Sequence, residues 1–254
     1  MAEKETRLDK FVAESAGITR KEAKTALQKG RVRVNDEVCK NGDRKVTSTD
    51  VVLLDGKSLN AEEFLYLMLH KPAGVVSATE DGRDKTVLDL VREQSAKDAD
   101  SAAETGYFLG KREVFPVGRL DKDTEGLLLI TDDGELAHKL LSPKKHVDKV
   151  YFARLDGEVP KDAVERFAEG IQVGQDYKAL PAKLQVLRVA EGLSEVHITL
   201  REGKFHQVKR MCHEIGCEVT YLKRISMGAL VLDENLQPGE CRRLTENEVA
   251  LLKA

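Results

Sequence analysis

Residues 118–131 constrain the fold more than any other stretch. Gly118 and Gly126 frame a nine-residue loop dense in charge, with Arg119-Leu120-Asp121-Lys122-Asp123-Thr124-Glu125 between them. The loop runs into Leu127-Leu128-Leu129-Ile130-Thr131, a segment apolar enough to be a buried strand. A polar loop anchored to such a strand is fixed at the edge of a core. By composition alone, the favoured reading of the loop is an ordinary connection with its charges facing water.

The chain has room for the core this requires. At roughly 100–200 residues per domain, 254 residues make one large domain or two smaller ones, with no need of disulfide or metal staples. Hydrophobic residues are 41% and charged residues 33%, with mean hydropathy −0.39, a globular composition leaning polar. No apolar run reaches the roughly 18 residues that span a bilayer, and Met1-Ala2-Glu3-Lys4-Glu5 lacks the apolar stretch of a signal peptide. A cytoplasmic protein is expected. Cys39, Cys212, Cys217 and Cys241 are irregularly spaced and read as reduced thiols, not as a disulfide framework or zinc knuckles.

The net charge of −3 conceals an uneven distribution, since residues 1–45 hold twelve Lys/Arg against eight Asp/Glu. Within them, Leu8, Phe11 and Val12 follow helical spacing, with Gly17 as a stop. Thr19-Arg20-Lys21-Glu22 has the form of a capping box opening a second helix to about Lys29. Ala23, Ala26 and Leu27 make its apolar side, and Arg20, Lys21, Lys24 and Gln28 fall opposite. Arg31-Val32-Arg33-Val34 then alternates as a strand ahead of a turn at Asn35-Asp36. A basic helix beside a basic strand could be no more than a solvated face.

Beyond a plausible hinge at residues 59–63 the pattern changes. A strand at Phe64–Leu69, a turn at Lys71-Pro72-Ala73-Gly74 and a short helix at Thr86–Arg92 precede a small, polar stretch, 95–106, read as a surface loop. Further strands follow, at Leu127–Thr131 and Val150–Leu155 among others, with a helix between them ending near Leu141. Because the strands come in runs, the expected class is α+β, with a mixed, mostly antiparallel sheet. Later, Val208, Met211, Cys212 and Ile215 mark one buried face of a helix, so Lys209, Arg210 and His213 point away from it.

Two resemblances give these patterns a function. Arg7-Leu8-Asp9-Lys10-Phe11, Thr19-Arg20-Lys21-Glu22-Ala23 and Gly30-Arg31-Val32-Arg33-Val34-Asn35 together resemble the S4 RNA-binding domain. That implies docking on structured RNA by phosphate and shape contacts, with Arg7, Arg20, Lys21, Lys24 and Arg31 as the contacting residues. The string from Pro116 to Thr131 is very similar to the active-site motif of pseudouridine synthases, in particular the group that modifies small-subunit ribosomal RNA. His70-Lys71-Pro72-Ala73-Gly74-Val75-Val76-Ser77, Lys149-Val150-Tyr151 and Glu202-Gly203-Lys204-Phe205-His206-Gln207-Val208-Lys209-Arg210-Met211 resemble the same group in the same order.

The resemblance implies an S4-type module over residues 1–60 and a pseudouridine synthase domain over 61–254. It implies isomerisation of a uridine in ribosomal RNA, most naturally 16S, with the large-subunit RNA or a non-catalytic assembly role as alternatives. No group enters or leaves in this reaction, so no cofactor and no metal is expected. Asp121 matches the catalytic aspartate, Tyr151 the active-site tyrosine and Lys209 a basic residue paired with the aspartate. Arg119 matches an arginine that displaces or replaces the flipped nucleotide, and Leu120, His206, Gln207 and Arg210 fall at substrate-binding positions. On its residue type alone, Arg119 could instead balance Asp123 or Glu125. The implied partner is ribosomal RNA or an assembly intermediate, met by a monomer.

Overall fold

In the computed structural model, which describes residues 5–16, 18–47, 49–59, 64–100, 109, 112–142 and 145–254, the first helices begin and end where local chemistry dictates. Gly17, residues 60–63 of the expected hinge and residues 101–106 lie outside the described residues. The chain divides into two compact units, Met1–Phe64 with Phe108–Glu113, and Leu65–Tyr107 with Val114–Ala254.

The first unit opens with β1 (Thr6–Arg7), α1 (Leu8–Ser15) and α2 (Arg20–Gln28). The capping box is present as expected: the Thr19 hydroxyl accepts from the Glu22 backbone N–H at 3.2 Å, and the Glu22 carboxylate accepts from that of Thr19 at 2.7 Å. Next come β2 (Val32–Val34), β3 (Glu37–Val38), β4 (Lys45–Val46), β5 (Val52–Leu54) and β6 (Lys57–Ser58). Four of them form a sheet in the order β3-β2-β5-β6, and β1 pairs with β4. Asn35 and Asp36 both adopt positive φ, 50° and 65°, the pairing that suits a two-residue hairpin. Leu8, Phe11, Val12, Ala23, Ala26, Leu27, Val32 and Val34 fill one small core.

The basic face of this unit is organised from inside. Asp9 is fully buried, and its carboxylate accepts from Arg7 Nε at 3.2 Å and Nη2 at 3.0 Å. Arg20 Nη2 lies 3.4 Å from it and Lys24 Nζ 3.9 Å, while all three cationic side chains stay about half exposed. Arg7, foremost, holds the Asp9 carboxyl below the usual carboxylate range against the opposing effect of burial. In acid the unfolded chain therefore binds a proton that the folded unit refuses. The stability contributed by Asp9 is full above the ordinary carboxylate pKa and is lost as pH falls through the lowered one. Amide protection factors in α1 and α2, corrected for the intrinsic exchange rate, should fall from pH 5 to pH 3. Asp9→Asn should remove part of that pH dependence and cost about 2 kcal/mol at pH 7, the scale of a hydrogen bond to a charged group. An unchanged acid profile in Asp9→Asn would contradict this.

The second unit contains β7 (Tyr66–Lys71), α3 (Val87–Asp100), β8 (Phe115–Pro116), β9 (Glu125–Thr131), α4 (Gly134–Leu141), β10 (Lys149–Asp156) and α5 (Ala163–Glu169). It continues with β11 (Gln172–Val173), β12 (Tyr177–Lys178), β13 (Lys183–Ala190), β14 (Leu193–Leu200) and α6 (Gln207–His213). It ends with β15 (Glu218–Met227), β16 (Leu230–Val231), β17 (Cys241–Arg243) and α7 (Glu246–Lys253). Among the described residues a nine-stranded sheet runs β13-β14-β10-β15-β9-β7-β17, with β16 beside β15 and β8 beside β9. Only β9 and β15 pair in parallel, so the sheet is mixed and mostly antiparallel, as expected. The α+β class holds.

One expectation needs correcting. Residues 95–100 continue α3 instead of opening a loop, and the helix extends eight residues beyond Arg92. Among its described side chains, Val87, Leu88, Val91 and Ser95 are buried, at helical spacing. Ser95 continues the buried stripe in polar guise, which hides the period from a reading of apolar residues. No helix among the described residues is long and apolar enough to cross a membrane.

Candidate active site

The charged loop lies between β8 and β9 and is strapped down by the segment after β7. Lys71 is fully buried, and its Nζ donates to the carbonyls of Thr124 at 2.8 Å, Pro72 at 3.0 Å and Lys122 at 3.2 Å. The Gly74 N–H donates to Lys122 O at 2.7 Å. Ser77 Oγ donates to Leu120 O at 2.9 Å and accepts from Leu120 N at 3.0 Å. The Thr124 N–H closes a turn onto Asp121 O at 3.1 Å. The backbone on both sides of Asp121, at Leu120, Lys122 and Thr124, is thus tied to the core edge, the preorganisation that catalysis by a fixed group demands. Burial pushes the Lys71 ammonium down to about 8, with Asp123, Asp121 and Glu125 opposing the shift.

Three charged or titratable side chains converge at the loop. Lys209 Nζ and His206 Nε2 approach opposite oxygens of Asp121, at 3.6 Å from Oδ2 and 3.7 Å from Oδ1. Asp121 and Lys209 are about a quarter exposed, so solvent and a ligand can both reach the carboxylate. The sequence reading paired Lys209 with Asp121 alone, whereas its hydrogen bonds go to Asp123, at 2.6 and 2.7 Å. Lys209 holds the Asp123 carboxyl below the usual range and bridges both acids. Asp123 is thereby engaged, and Glu125 accepts from Tyr221 OH at 2.8 Å. Among the described residues Arg119 makes no ion pair, and it stands exposed at the loop's start. Among the described residues it pairs with neither Asp123 nor Glu125.

Sheet register places the remaining residues. Lys71 faces Gly126 across β7 and β9, Gly126 faces Arg224 across β9 and β15, and Arg224 faces Tyr151 across β15 and β10. Direct partners share a face, so one row leads from the strap to Tyr151. Tyr151 is 8% exposed, and Arg224, 2% exposed, donates from Nε to Leu127 O at 2.8 Å. Lys71, Ser77 and Arg224 were not among the expected site residues. The sequence signal for Lys71 and Ser77 was the His70–Ser77 motif, which marked a segment without showing what it held, and no motif marked Arg224.

Leu120 and Gln207 are buried, and their placement speaks for support instead of contact. Gln207 donates to Glu202 Oε1 at 2.6 Å and accepts from Lys204 N at 2.9 Å, spending its polar atoms on the turn before α6. Arg210 pairs with Asp176 and lies 5.5 Å from the Tyr177 ring. An open cleft of about 380 Å³ adjoins the acid cluster, walled by His206, Lys209, Arg210 and His213 together with Glu214 and Glu218. All four cysteines are free and buried. Burial pushes the Cys212 thiol up to about 12, which disfavours the thiolate a metal would need. Among the described residues no group of three or more His, Cys, Asp or Glu side chains is placed to hold a metal ion.

A buried strand feeding a strapped Gly-Arg-Leu-Asp loop, with a lysine and a histidine flanking the aspartate, defines an enzyme site built for fixed acid–base or nucleophilic work. Residues 65–214 match the RNA pseudouridylate synthase family, and residues 6–52 match the S4 domain. The chain belongs to the RNA pseudouridylate synthase family. It is 43% identical over 247 residues to the uncharacterized RNA pseudouridine synthase YtzG of Bacillus subtilis, covering 97% of this chain and 98% of that protein. It is 42% identical over 245 residues to ribosomal small subunit pseudouridine synthase A of Vibrio cholerae, covering 96% and 98%. A solved pseudouridylate synthase superimposes with a TM-score of 0.63 at 36% identity, over 97% of this chain and 99% of that one.

Proposed function

We propose that the protein converts a specific uridine of small-subunit (16S) ribosomal RNA to pseudouridine, with Asp121 as the catalytic group. The observation that carries the substrate is the near-full-length 42% identity to the Vibrio cholerae protein named for the small subunit. In the reaction the N1–C1′ bond breaks, the uracil turns, C5 bonds to C1′, and the proton on C5 is replaced by one on N1. Asp121 opens the glycosidic bond by attacking carbon or by removing a sugar proton. Lys209 and His206 hold its two oxygens in place. Tyr151 receives the flipped base, and Arg119, exposed and without an ion pair among the described residues, fills the gap the base leaves in the stack. Arg210 and the cleft beside it take phosphates, while Leu120 and Gln207 hold the loop and the turn.

Residues 1–60 act as the S4 module, docking through Arg7, Arg20, Lys21, Lys24 and Arg31, and residues 61–254 carry the catalysis. Arg31 pairs with Asp55 on the exposed surface, a contact weak enough to yield to phosphate. The protein works as a monomer in the cytoplasm on ribosomal RNA or a ribosomal assembly intermediate. Purified protein should form pseudouridine in unmodified 16S RNA, free or within small-subunit particles, and not in 23S RNA. Conversion of 23S RNA alone would overturn the substrate.

Two lysines test the division of labour. Lys209→Met should lower the single-turnover rate at saturating enzyme on the order of 10²-fold at every salt concentration, because Asp121 loses a fixed partner in a partly enclosed site. Lys204 lies over the Tyr177 ring at 3.6 Å, with Glu202 at 3.7 Å. Lys204→Met should therefore act weakly, through binding, and its effect should fade at low salt. Equal, salt-dependent losses in both variants would move Lys209 to the phosphate-contact class.

A further inference from the structure

Phe205 is 76% exposed, more than any other exposed large hydrophobic among the described residues, and it is the sole aromatic in that group. A phenyl ring left in water gains nothing from folding. It stacks on the His206 imidazole, with centroids 3.8 Å apart and planes 16° from parallel. His206 in turn adopts φ +50°, a left-handed conformation that non-glycine residues take up at a cost. That backbone turn brings the imidazole Nε2 to 3.7 Å from Asp121 Oδ1. The result is an ordered series of Asp121 carboxylate, His206 ring and Phe205 ring, with the outer ring largely open to solvent. The cleft walled by His206, Lys209, Arg210 and His213, with Glu214 and Glu218, starts beside it.

From this geometry we infer that Phe205 and His206 form a stacking ledge for an unpaired base next to the target uridine. The inference rests on the reading of Asp121 as the site of uridine isomerisation and specifies what that site takes besides the uridine. A nucleotide adjoining a flipped uridine has lost a stacking neighbour, and an aromatic face of matching size replaces it. The adjoining phosphate then falls toward Lys209 and Arg210 in the cleft wall. A ledge of this kind selects substrates in which the target lies in a loop or bulge, because a paired neighbour cannot leave its own helix to stack on the ring.

The test uses the full chain carrying Asp121→Asn, so that bound RNA is not turned over, with affinity measured for full-length unmodified 16S and 23S transcripts across a salt series. The transcript that the wild-type protein converts is the probe. Phe205→Leu keeps the bulk and apolar character but not the π-face, and it should weaken binding about tenfold with an unchanged salt slope. Phe205→Tyr should restore affinity to within about twofold. Because the side chain is exposed, neither substitution should alter thermal stability. Phe205→Leu binding as tightly as Phe205→Tyr overturns the ledge while leaving the function reading intact. A wild-type protein that converts neither transcript overturns the function reading, and the ledge with it.

Discussion

Asp121→Asn should bind its RNA within a few fold of wild type and form no pseudouridine. The replacement keeps the shape of the side chain, and the strap from Lys71, Gly74 and Ser77 holds the backbone on either side of it, so the loop should not move. An amide keeps one acceptor oxygen for Lys209 or His206 and turns an NH2 toward the other, and it can neither attack carbon nor take a proton. The expected loss is at least about 10³-fold in single-turnover rate. Binding is spared because it rests on many phosphate contacts, of which a carboxylate supplies none. Release of tritium from RNA labelled at uridine C5 reads the chemical step directly, and filter binding reads affinity. Turnover near the wild-type rate in pure Asp121→Asn protein would remove Asp121 from the chemistry.

Gly126→Ala should unfold much of the catalytic unit. Gly126 adopts φ +105°, which side-chain-bearing residues rarely take up. It sits where β9 meets β15 in parallel, facing Arg224. A Cβ there would collide with the Arg224 carbonyl oxygen and come within 2.7 Å of its backbone nitrogen, atoms that cannot turn aside as a side chain can. Relief requires separating two strands in the middle of the sheet and breaking the Arg224 Nε bond to Leu127 O. The expected cost exceeds about 4 kcal/mol, a large part of the roughly 5–15 kcal/mol that stabilises an ordinary domain. At about 2–4 °C per kcal/mol for a unit of this size, the melting temperature should fall by about 10 °C or more. Gly82→Ala is the control, since a Cβ there meets nothing within 4 Å and should change stability by under about 0.5 kcal/mol. A wild-type melting curve for Gly126→Ala would mean that the strands do not approach as described.

What could be read in advance was whatever depends on neighbours a few residues away. The Thr19–Glu22 capping box, the Asn35-Asp36 turn and the buried stripe of Val208, Met211, Cys212 and Ile215 are all properties of a single turn or helix, and all appear in the fold. The glycine frame of the catalytic loop was legible for the same reason, with Gly118 and Gly126 both at positive φ. What escaped depends on contacts across the sheet. Lys71 looks in sequence like one more surface lysine, and only the pairing of β7 with β9 shows that it is buried under carbonyls more than fifty residues away. Arg224 is hidden likewise until β15 is laid beside β9. That Lys209 bridges to Asp123 as well as Asp121 was not legible, because the two acids share one tight turn and only side-chain direction separates them. In the first unit, Asp9 was visible as part of a motif, but its burial beneath Arg7, Arg20 and Lys24 was not.

The central claim is that this chain isomerises a uridine of small-subunit ribosomal RNA through Asp121. Its most direct test is a map of pseudouridines at single-nucleotide resolution in the ribosomal RNA of cells lacking the gene, complemented with the wild-type chain or with Asp121→Asn. The account predicts one 16S pseudouridine that disappears on deletion, returns with the wild-type chain and does not return with Asp121→Asn. A map in which every 16S pseudouridine survives the deletion, or in which Asp121→Asn restores the missing one, would contradict it.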